Sequence, residues 1–311
     1  MHSRISHSPA RPERRAEGRV RLHLVDGTYE LFRAHFAPRP GHRDASGRDV
    51  KATVGLAASL LALLESEEES VSHIAVAYDN PIKSFRNDLF DGYKSGEGVP
   101  RELTDQLDDA ERAAAALGVA VWSMVRFEAD DALATGAARF RDEVDQVRIM
   151  TPDKDLGQCV RGTRVVLIDR MRDRLTDEAR LRKVRGVGPA SIPDWLGLVG
   201  DSADGIPGIP GFGAKSAAAI LAHYEQIEDI PTNASDWEVA LRGAKRLAGN
   251  LVERREEALL YKRLATLAED APISESLAEL QWRGVPRAAF AKFCDTMSAD
   301  RLRDRPRRWA D

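Results

Sequence analysis

The chain has 311 residues, of which 31% are charged and 43% hydrophobic, with a net charge of −4 and two cysteines. That length suits one medium-sized domain or two coupled ones, and Cys159 and Cys294, far apart and without metal-ligand spacing, exclude a disulfide scaffold or a zinc module and point to a reducing, cytoplasmic setting. No apolar run is long enough to span a bilayer, and no secretory segment follows the start.

Residues 1–18 are rich in Arg, Ser and Pro without periodicity and read as a disordered tail. A strand near 20–25 leads into a short helix from Thr28 to about Phe36, then a loop rich in Gly, Arg and Asp over 38–49. Val54, Leu56, Ala57, Leu60, Leu61 and Leu64 define an apolar helix that ends in the acidic run Glu65 to Glu69. A strand over 73–78 follows, then a helix over 101–117 with Leu103, Leu107, Ala110, Ala114 and Leu117 at helical spacing. A strand over 119–122, a helix over 129–142, a strand over 147–151, a short helix over 155–160 and a strand over 164–169 continue the alternation. Alternation of this kind predicts a doubly wound, mainly parallel α/β sheet. Beyond about Thr176 the pattern turns helical, with a short apolar helix from Ile192, a Gly/Pro run over 205–213, a helix opened by Lys215, and helices over about 237–246 and 251–267. The rest of the chain carries no assignable pattern.

The acids fall at particular places in this scheme. Asp26 ends the run Arg21-Leu-His-Leu-Val, Asp79 ends Ile74-Ala-Val-Ala-Tyr, and Asp153 follows Val147-Arg-Ile-Met-Thr-Pro, with Asp155 two residues on. Glu128-Ala-Asp130-Asp131 opens a helix, and Asp201-Ser-Ala-Asp204 precedes the Gly/Pro run. Carboxylates at the C-terminal ends of successive parallel strands point into one crevice, where they repel each other unless cations sit between them. Hard divalent cations such as Mg²⁺ or Mn²⁺ take oxygen ligands, and pairs of them clamp phosphate displacements. A single such acid is ordinarily a solvated surface charge; recurrence after strand upon strand outweighs that reading and points to a metal-dependent phosphodiesterase. Once these nine acids are set aside, the remaining chain carries +5 rather than −4, so net charge does not argue against a nucleic-acid substrate.

The collinear order Val-Asp26-Gly, Tyr-Asp79, Lys83-Ser-Phe-Arg86, Tyr93-Lys94, Glu128-Ala-Asp130-Asp131, Thr-Pro-Asp153-Lys-Asp155-Leu and Gly200-Asp201-Ser-Ala-Asp204-Gly-Ile-Pro-Gly208 resembles the 5′-nuclease, or flap endonuclease, family, in the form found at the N-terminus of bacterial DNA polymerase I. The resemblance covers about residues 20–225 and implies a free-standing 5′-3′ exonuclease and flap endonuclease. It implies a PIN-like nuclease core over 19–175 and a helical region over 176–311 with a helix-three-turn-helix near 200–223. Asp26, Asp79, Glu128 and Asp130 would build a first metal site; Asp153, Asp155 and Asp201 a second; Asp131 and Asp204 would serve either, directly or through water. Lys83 and Arg86, three apart on a predicted helix, would share a face and offset charge on the scissile phosphate.

A helical arch over about 84–100 is implied, with Tyr93 and Lys94 touching the threaded strand. Gly208, Gly211 and Gly213 would admit the duplex backbone, Lys215 a phosphate, and the hairpin a K⁺. Expected partners are nicked or branched duplexes with a 5′ flap or 5′ end and RNA–DNA primers, met by a monomer away from membranes. Three departures stand out: Ser95-Gly-Glu97-Gly where the family carries an Arg, Gly205 where it has Asn, and Pro152 where it has Gly. The two glycines disfavour a rigid helix in the arch. The competing readings are a PIN-type ribonuclease, against which the Gly205–Gly213 run argues, and a DNA-binding paralogue of weak activity, against which the full set of acids argues.

Overall fold

The computed structural model describes residues 19–310, so the expected N-terminal tail lies outside the described residues. In chain order the elements are β1 (Arg21–Asp26), α1 (Gly27–Phe36), α2 (Lys51–Leu64), β2 (His73–Asp79), α3 (Arg101–Thr104), α4 (Leu107–Ala116), β3 (Ala120–Met124), α5 (Ala129–Phe140), β4 (Gln146–Met150), β5 (Val165–Asp169), β6 (Arg174–Thr176), α6 (Glu178–Arg185), α7 (Ile192–Val199), α8 (Ala214–Tyr224), α9 (Ala244–Glu253), α10 (Arg255–Ala265), α11 (Arg287–Thr296) and α12 (Asp300–Arg303). The sheet runs β3-β2-β1-β4-β5-β6, parallel throughout except for β6.

Strict alternation sorts the strands' side chains. Leu22 and Leu24 of β1, with Ala75 and Ala77 of β2, face α5, in a core that continues through to α7, α8 and α10. Val25, Val76 and Tyr78 face α1, α2, α4 and α11. Burial on both faces is why these strands read as apolar runs, and why α2, covered on nearly every side, is apolar almost throughout. The strand order reverses direction between β1 and β4, and the crevice beyond their C-terminal ends is where such sheets bind ligands.

The expected fold class stands, with local corrections. The expected helix over 101–117 breaks between α3 and α4, where the buried Gln106 side chain accepts hydrogen bonds from the Thr53 N–H at 3.1 Å and the Thr53 hydroxyl at 3.0 Å. The expected helix over 237–246 is displaced to α9; Trp237 instead anchors a loop by donating its indole N–H to the Pro231 carbonyl at 2.8 Å. The three-residue edge strand β6 went unrecognised, being too short to show a period. The C-terminal segment, which carried no pattern, returns to the sheet: Trp282 donates to the Leu117 carbonyl at 3.0 Å and Ile74 to the Leu280 carbonyl at 2.9 Å.

Candidate metal centre

Asp26 is the last residue of β1 and the N-cap of α1, where its carboxylate accepts from the Tyr29 N–H at 2.8 Å and the Thr151 hydroxyl at 3.1 Å. Asp79 ends β2 and accepts from the Ala129 N–H at 2.8 Å, which binds the strand end to the start of α5. Glu128 precedes α5 and Asp130 lies in its first turn. The favourable potential at a helix N-terminus offsets part of the carboxylates' repulsion. Beyond β4, Asp153 accepts from the Asp155 N–H at 2.8 Å, so these two acids brace each other in the turn. Asp201 is fixed by a two-way backbone pairing with Ile206, at 2.8 and 2.7 Å, and by accepting from the Ala203 N–H at 2.9 Å.

Asp155, Asp201 and Asp204 bring carboxylate oxygens within 4.8 Å of one another. Oδ1 of Asp155 is buried without a hydrogen-bond partner, an unmet demand that a cation would satisfy. An all-carboxylate donor set with one orphaned oxygen fits a hard divalent cation and not a thiolate or imidazole site. Burial, reinforced by repulsion from Asp79 and Asp153, pushes Asp26 up to about 7. Burial and then Asp153 push Asp130 and Asp155 well above the usual carboxylate range, and burial also raises Asp79 and Asp204. These mutual effects show that Asp26, Asp79, Asp130, Asp153, Asp155 and Asp204 share one field.

Two lysines answer that field. Lys94 places Nζ 3.1 Å from Glu128 Oε2 and 3.0 Å from Asp204 Oδ1. Burial alone would depress this ammonium, but Glu128, Tyr93 and Asp204 hold it well above the ordinary lysine value. Lys154 pairs with Asp201. Glu128 also accepts from Ser84 Oγ at 2.6 Å and Tyr93 Oη at 3.2 Å. Burial would raise it, yet Lys94 and Arg86 prevail and keep it below the usual range.

Four expected roles change. Arg86 is 1% exposed; its guanidinium donates to both oxygens of Asp131 and to the carbonyls of Leu264 and Thr266, and its Nη1 lies 3.5 Å from Glu128 Oε1. Asp131 is 0% exposed and also accepts from the N–H groups of Glu128 and Ala268. The pair therefore ties α5 to the segment after α10, with both charges buried. Lys83 is exposed and makes no ion pair among the described residues, so it and Arg86 do not share a reacting face. Tyr93 is buried with its hydroxyl on Glu128, a packing role and not a stacking platform.

The arch region departs in the same way. Over 84–100 it forms one short 3₁₀ turn, Phe85–Asp88, and otherwise an irregular loop with Gly96 and Gly98 at φ of +77° and +84°. The loop rests on the turn after Asp201: the Lys94 N–H donates to the Asp204 carbonyl at 3.0 Å. Gly205 explains itself here, since a Cβ at that position would meet the Gly92 carbonyl oxygen at 2.1 Å. Asn at 205 would therefore collide with the loop as it lies.

In the hairpin over 205–213, Ile209 and Phe212 are buried while Gly211, Gly213 and Lys215 face solvent. Gly208 has φ of +71° and a Cβ there would meet Val199 backbone at 2.5 Å, so its role is to let the hairpin close. Gly213 has an ordinary φ of −123° and open space before it.

A family model for the 5′-3′ exonuclease N-terminal resolvase-like domain matches residues 21–186, and one for the 5′-3′ exonuclease C-terminal SAM fold matches residues 187–288. The chain belongs to the 5′-3′ exonuclease family. It is 33% identical over 253 residues to a 5′-3′ exonuclease of Buchnera aphidicola, covering 81% of this chain and 82% of that protein. It is also 33% identical over 290 residues to DNA polymerase I of Mycobacterium leprae, covering 91% of this chain but only 31% of the relative. The chain thus spans about a third of the polymerase relatives it matches. Among solved structures, the D15 flap endonuclease of bacteriophage T5, in a complex with DNA and metal ions, superposes with a TM-score of 0.62 at 19% identity over 79% of this chain and 88% of that one. The catalytic core of Rad2 with a DNA substrate gives 0.58 at 14% identity over 90% and 88%. Both likenesses concern the fold.

Three contributors to the site went unnoticed in the sequence. Ser84 holds Glu128, Thr151 holds Asp26, and Lys154 pins Asp201. Lys154 had a visible signal, lying between Asp153 and Asp155, where a lone cation amid carboxylates is electrostatically compelled to pair. Ser84 and Thr151 had none. Among the described residues no helix is long and apolar enough to cross a membrane.

Proposed function

We propose that this chain is a structure-specific 5′ nuclease that hydrolyses phosphodiesters of DNA, and of RNA primers on DNA, at 5′ ends and 5′ flaps, leaving 5′-phosphates during replication and repair. The observation that carries the reading is the meeting of Asp155, Asp201 and Asp204, with the orphaned Asp155 Oδ1 among them, in one electrostatic field with the strand-end acids Asp26 and Asp79, with Asp153 beyond β4 and with Asp130 in the first turn of α5. Asp155, Asp201, Asp204 and Asp153 would hold one Mg²⁺ or Mn²⁺, and Asp26, Asp79, Glu128 and Asp130 a second. Such cations supply Lewis-acid polarisation of the phosphoryl oxygens and lower the pKa of water.

The protein's own groups do the rest. Lys94 lies between Glu128 and Asp204, so its ammonium is the cation placed to compensate negative charge growing on a phosphate in the crevice. Lys154 fixes Asp201, and Ser84 and Tyr93 fix Glu128, which limits reorganisation as charge develops. In this reading the α/β core to about residue 175 carries out hydrolysis and the helical remainder grips duplex. Gly211 and Gly213 would admit the phosphate backbone, Lys215 would neutralise it, and the hairpin carbonyls would take a K⁺. The enzyme would act as a monomer.

The test is cleavage of end-labelled 5′-flap, nicked and single-stranded substrates in Mg²⁺, Mn²⁺ or EDTA. Metal-dependent release of 5′-phosphorylated products, favouring junctions, is expected. Cleavage that persists in EDTA, or indifference to junction structure, overturns the reading.

A further inference from the structure

The metal centre opens on one side into a cleft that the roles above leave unused. Asp26, Tyr29, Pro152, Asp153, Lys154 and Arg185 line its near part, about 370 Å³ in volume. Its far part runs on over Thr151–Lys154 to Arg174, Arg180 and Val184. Helix α6 supplies most of the charge: Arg180, Arg182, Lys183 and Arg185 against a single acid, Glu178. Arg182 is taken by Glu178 at 2.9 Å, and Arg174 by Asp169 at 3.1 Å. Arg180 and Arg185 make no ion pair among the described residues. Arg185 is oriented by Trp195, its guanidinium 5.5 Å from the ring centroid. Tyr29, half-buried at the start of α1, brings an aromatic ring to the same opening directly beside Asp26. Val184, 66% exposed on the rim, adds apolar surface.

Two unpaired guanidiniums, a half-buried ring and a carboxylate centre at one end form a site for a phosphate joined to a base. Free anions gain nothing from the ring, and neutral aromatics gain nothing from the arginines. We propose that this cleft is a nucleotide subsite, in which Arg180 and Arg185 hold a backbone phosphate of the strand that enters the metal centre and Tyr29 stacks on its base. The assignment rests on the nuclease reading and deepens it by fixing where the strand lies, on the α6 side of the centre. Arg–phosphate contacts of this kind release counterions, whereas stacking does not.

The experiment is equilibrium binding of a fluorescent single-stranded oligonucleotide in EDTA, repeated over a salt series, so that no turnover is involved. For Arg180→Ala/Arg185→Ala the dependence of log K on log salt should flatten by about 0.7, the share of one single-strand phosphate contact. Tyr29→Leu should weaken binding by about fivefold or more at every salt concentration, leaving the slope unchanged. Arg301→Ala on α12, outside the cleft, controls for net charge and should change neither. Arg180→Ala alone, at an exposed position with no contact to lose, keeps the test valid if losing the Arg185–Trp195 contact lowers folding. A wild-type slope in both Arg180→Ala and the double variant overturns the subsite, while metal-dependent cleavage by the wild type leaves the nuclease reading intact. A wild type that neither binds nor cleaves the strand sinks both.

Discussion

Arg86 and Asp131, forty-five residues apart, meet through two side-by-side hydrogen bonds of 2.8 and 2.7 Å inside the protein. The same guanidinium also caps the carbonyls of Leu264 and Thr266, so one buried ion pair joins the α/β core to the helical region. Breaking a buried pair by removing one partner typically costs about 3–5 kcal/mol, because the other charge is left unpaired. Arg86→Ala and Asp131→Ala should each lose stability on that scale in denaturant titrations. Arg86→Lys should not restore it, since an ammonium cannot reproduce the paired geometry. Full stability in either alanine variant would return Arg86 to the list of catalytic candidates.

In the proposed reading Lys94, paired with Glu128 and Asp204, takes the place that Lys83 and Arg86 were expected to fill. Lys94→Met should lower the single-turnover cleavage rate by about 10² or more, with a smaller effect on strand affinity. Lys83→Ala should leave the rate within a few fold. Equal losses for both would mean that the loop rearranges when substrate binds.

The carboxylates repel each other in the absence of cations, so Asp155→Asn should raise the melting temperature in EDTA while lowering Mg²⁺-dependent cleavage by about 10² or more. Calorimetric titration with Mn²⁺ should show a weakened or lost site. Unchanged Mn²⁺ binding would remove Asp155 from the ligand set.

Gly213 separates ligand contact from folding. A side chain there has open space and an ordinary φ, so Gly213→Leu should fold normally yet weaken duplex affinity, measured in Ca²⁺, more than single-strand affinity. Gly208→Leu should instead destabilise the protein, because its Cβ has no room. Equal loss on duplex and single strand for Gly213→Leu would count against a duplex grip.

A second ionic cluster sets acid stability. Burial would raise Glu69, but His23, at 2.9 Å, and Arg148 hold it down at about 2. A carboxylate lowered in the folded state contributes stability that is present above its ordinary pKa near 4.5 and is lost as pH falls towards 2. His23 is lowered by burial, so unfolded chains take up its proton first and stability begins to fall below about 6.5. Glu69→Gln should flatten the decline in melting temperature between pH 4.5 and 2. An unchanged profile would place the acid sensitivity in other groups.

The alternation of apolar runs and helical periods was enough to specify a parallel α/β sheet, since strands buried on both faces can only be apolar throughout. It also placed Asp26, Asp79 and Asp153 at strand ends, and with them the crevice, because topology sends every parallel strand end to one side. Tertiary structure alone decided which charge faces which. Arg86 and Lys83 looked alike as cations after Asp79, but Arg86 is drawn inward by Asp131 and by carbonyls nearly two hundred residues away, partners that no local spacing announces. Lys94 could be placed on Glu128 and Asp204 only once the 84–100 loop had been seen to lie on the Asp204–Gly205 turn. Gly205 stood out only as a departure from the family's Asn for the same reason: its meaning lies in the Gly92 carbonyl pressed against it, a contact made by folding and invisible along the chain.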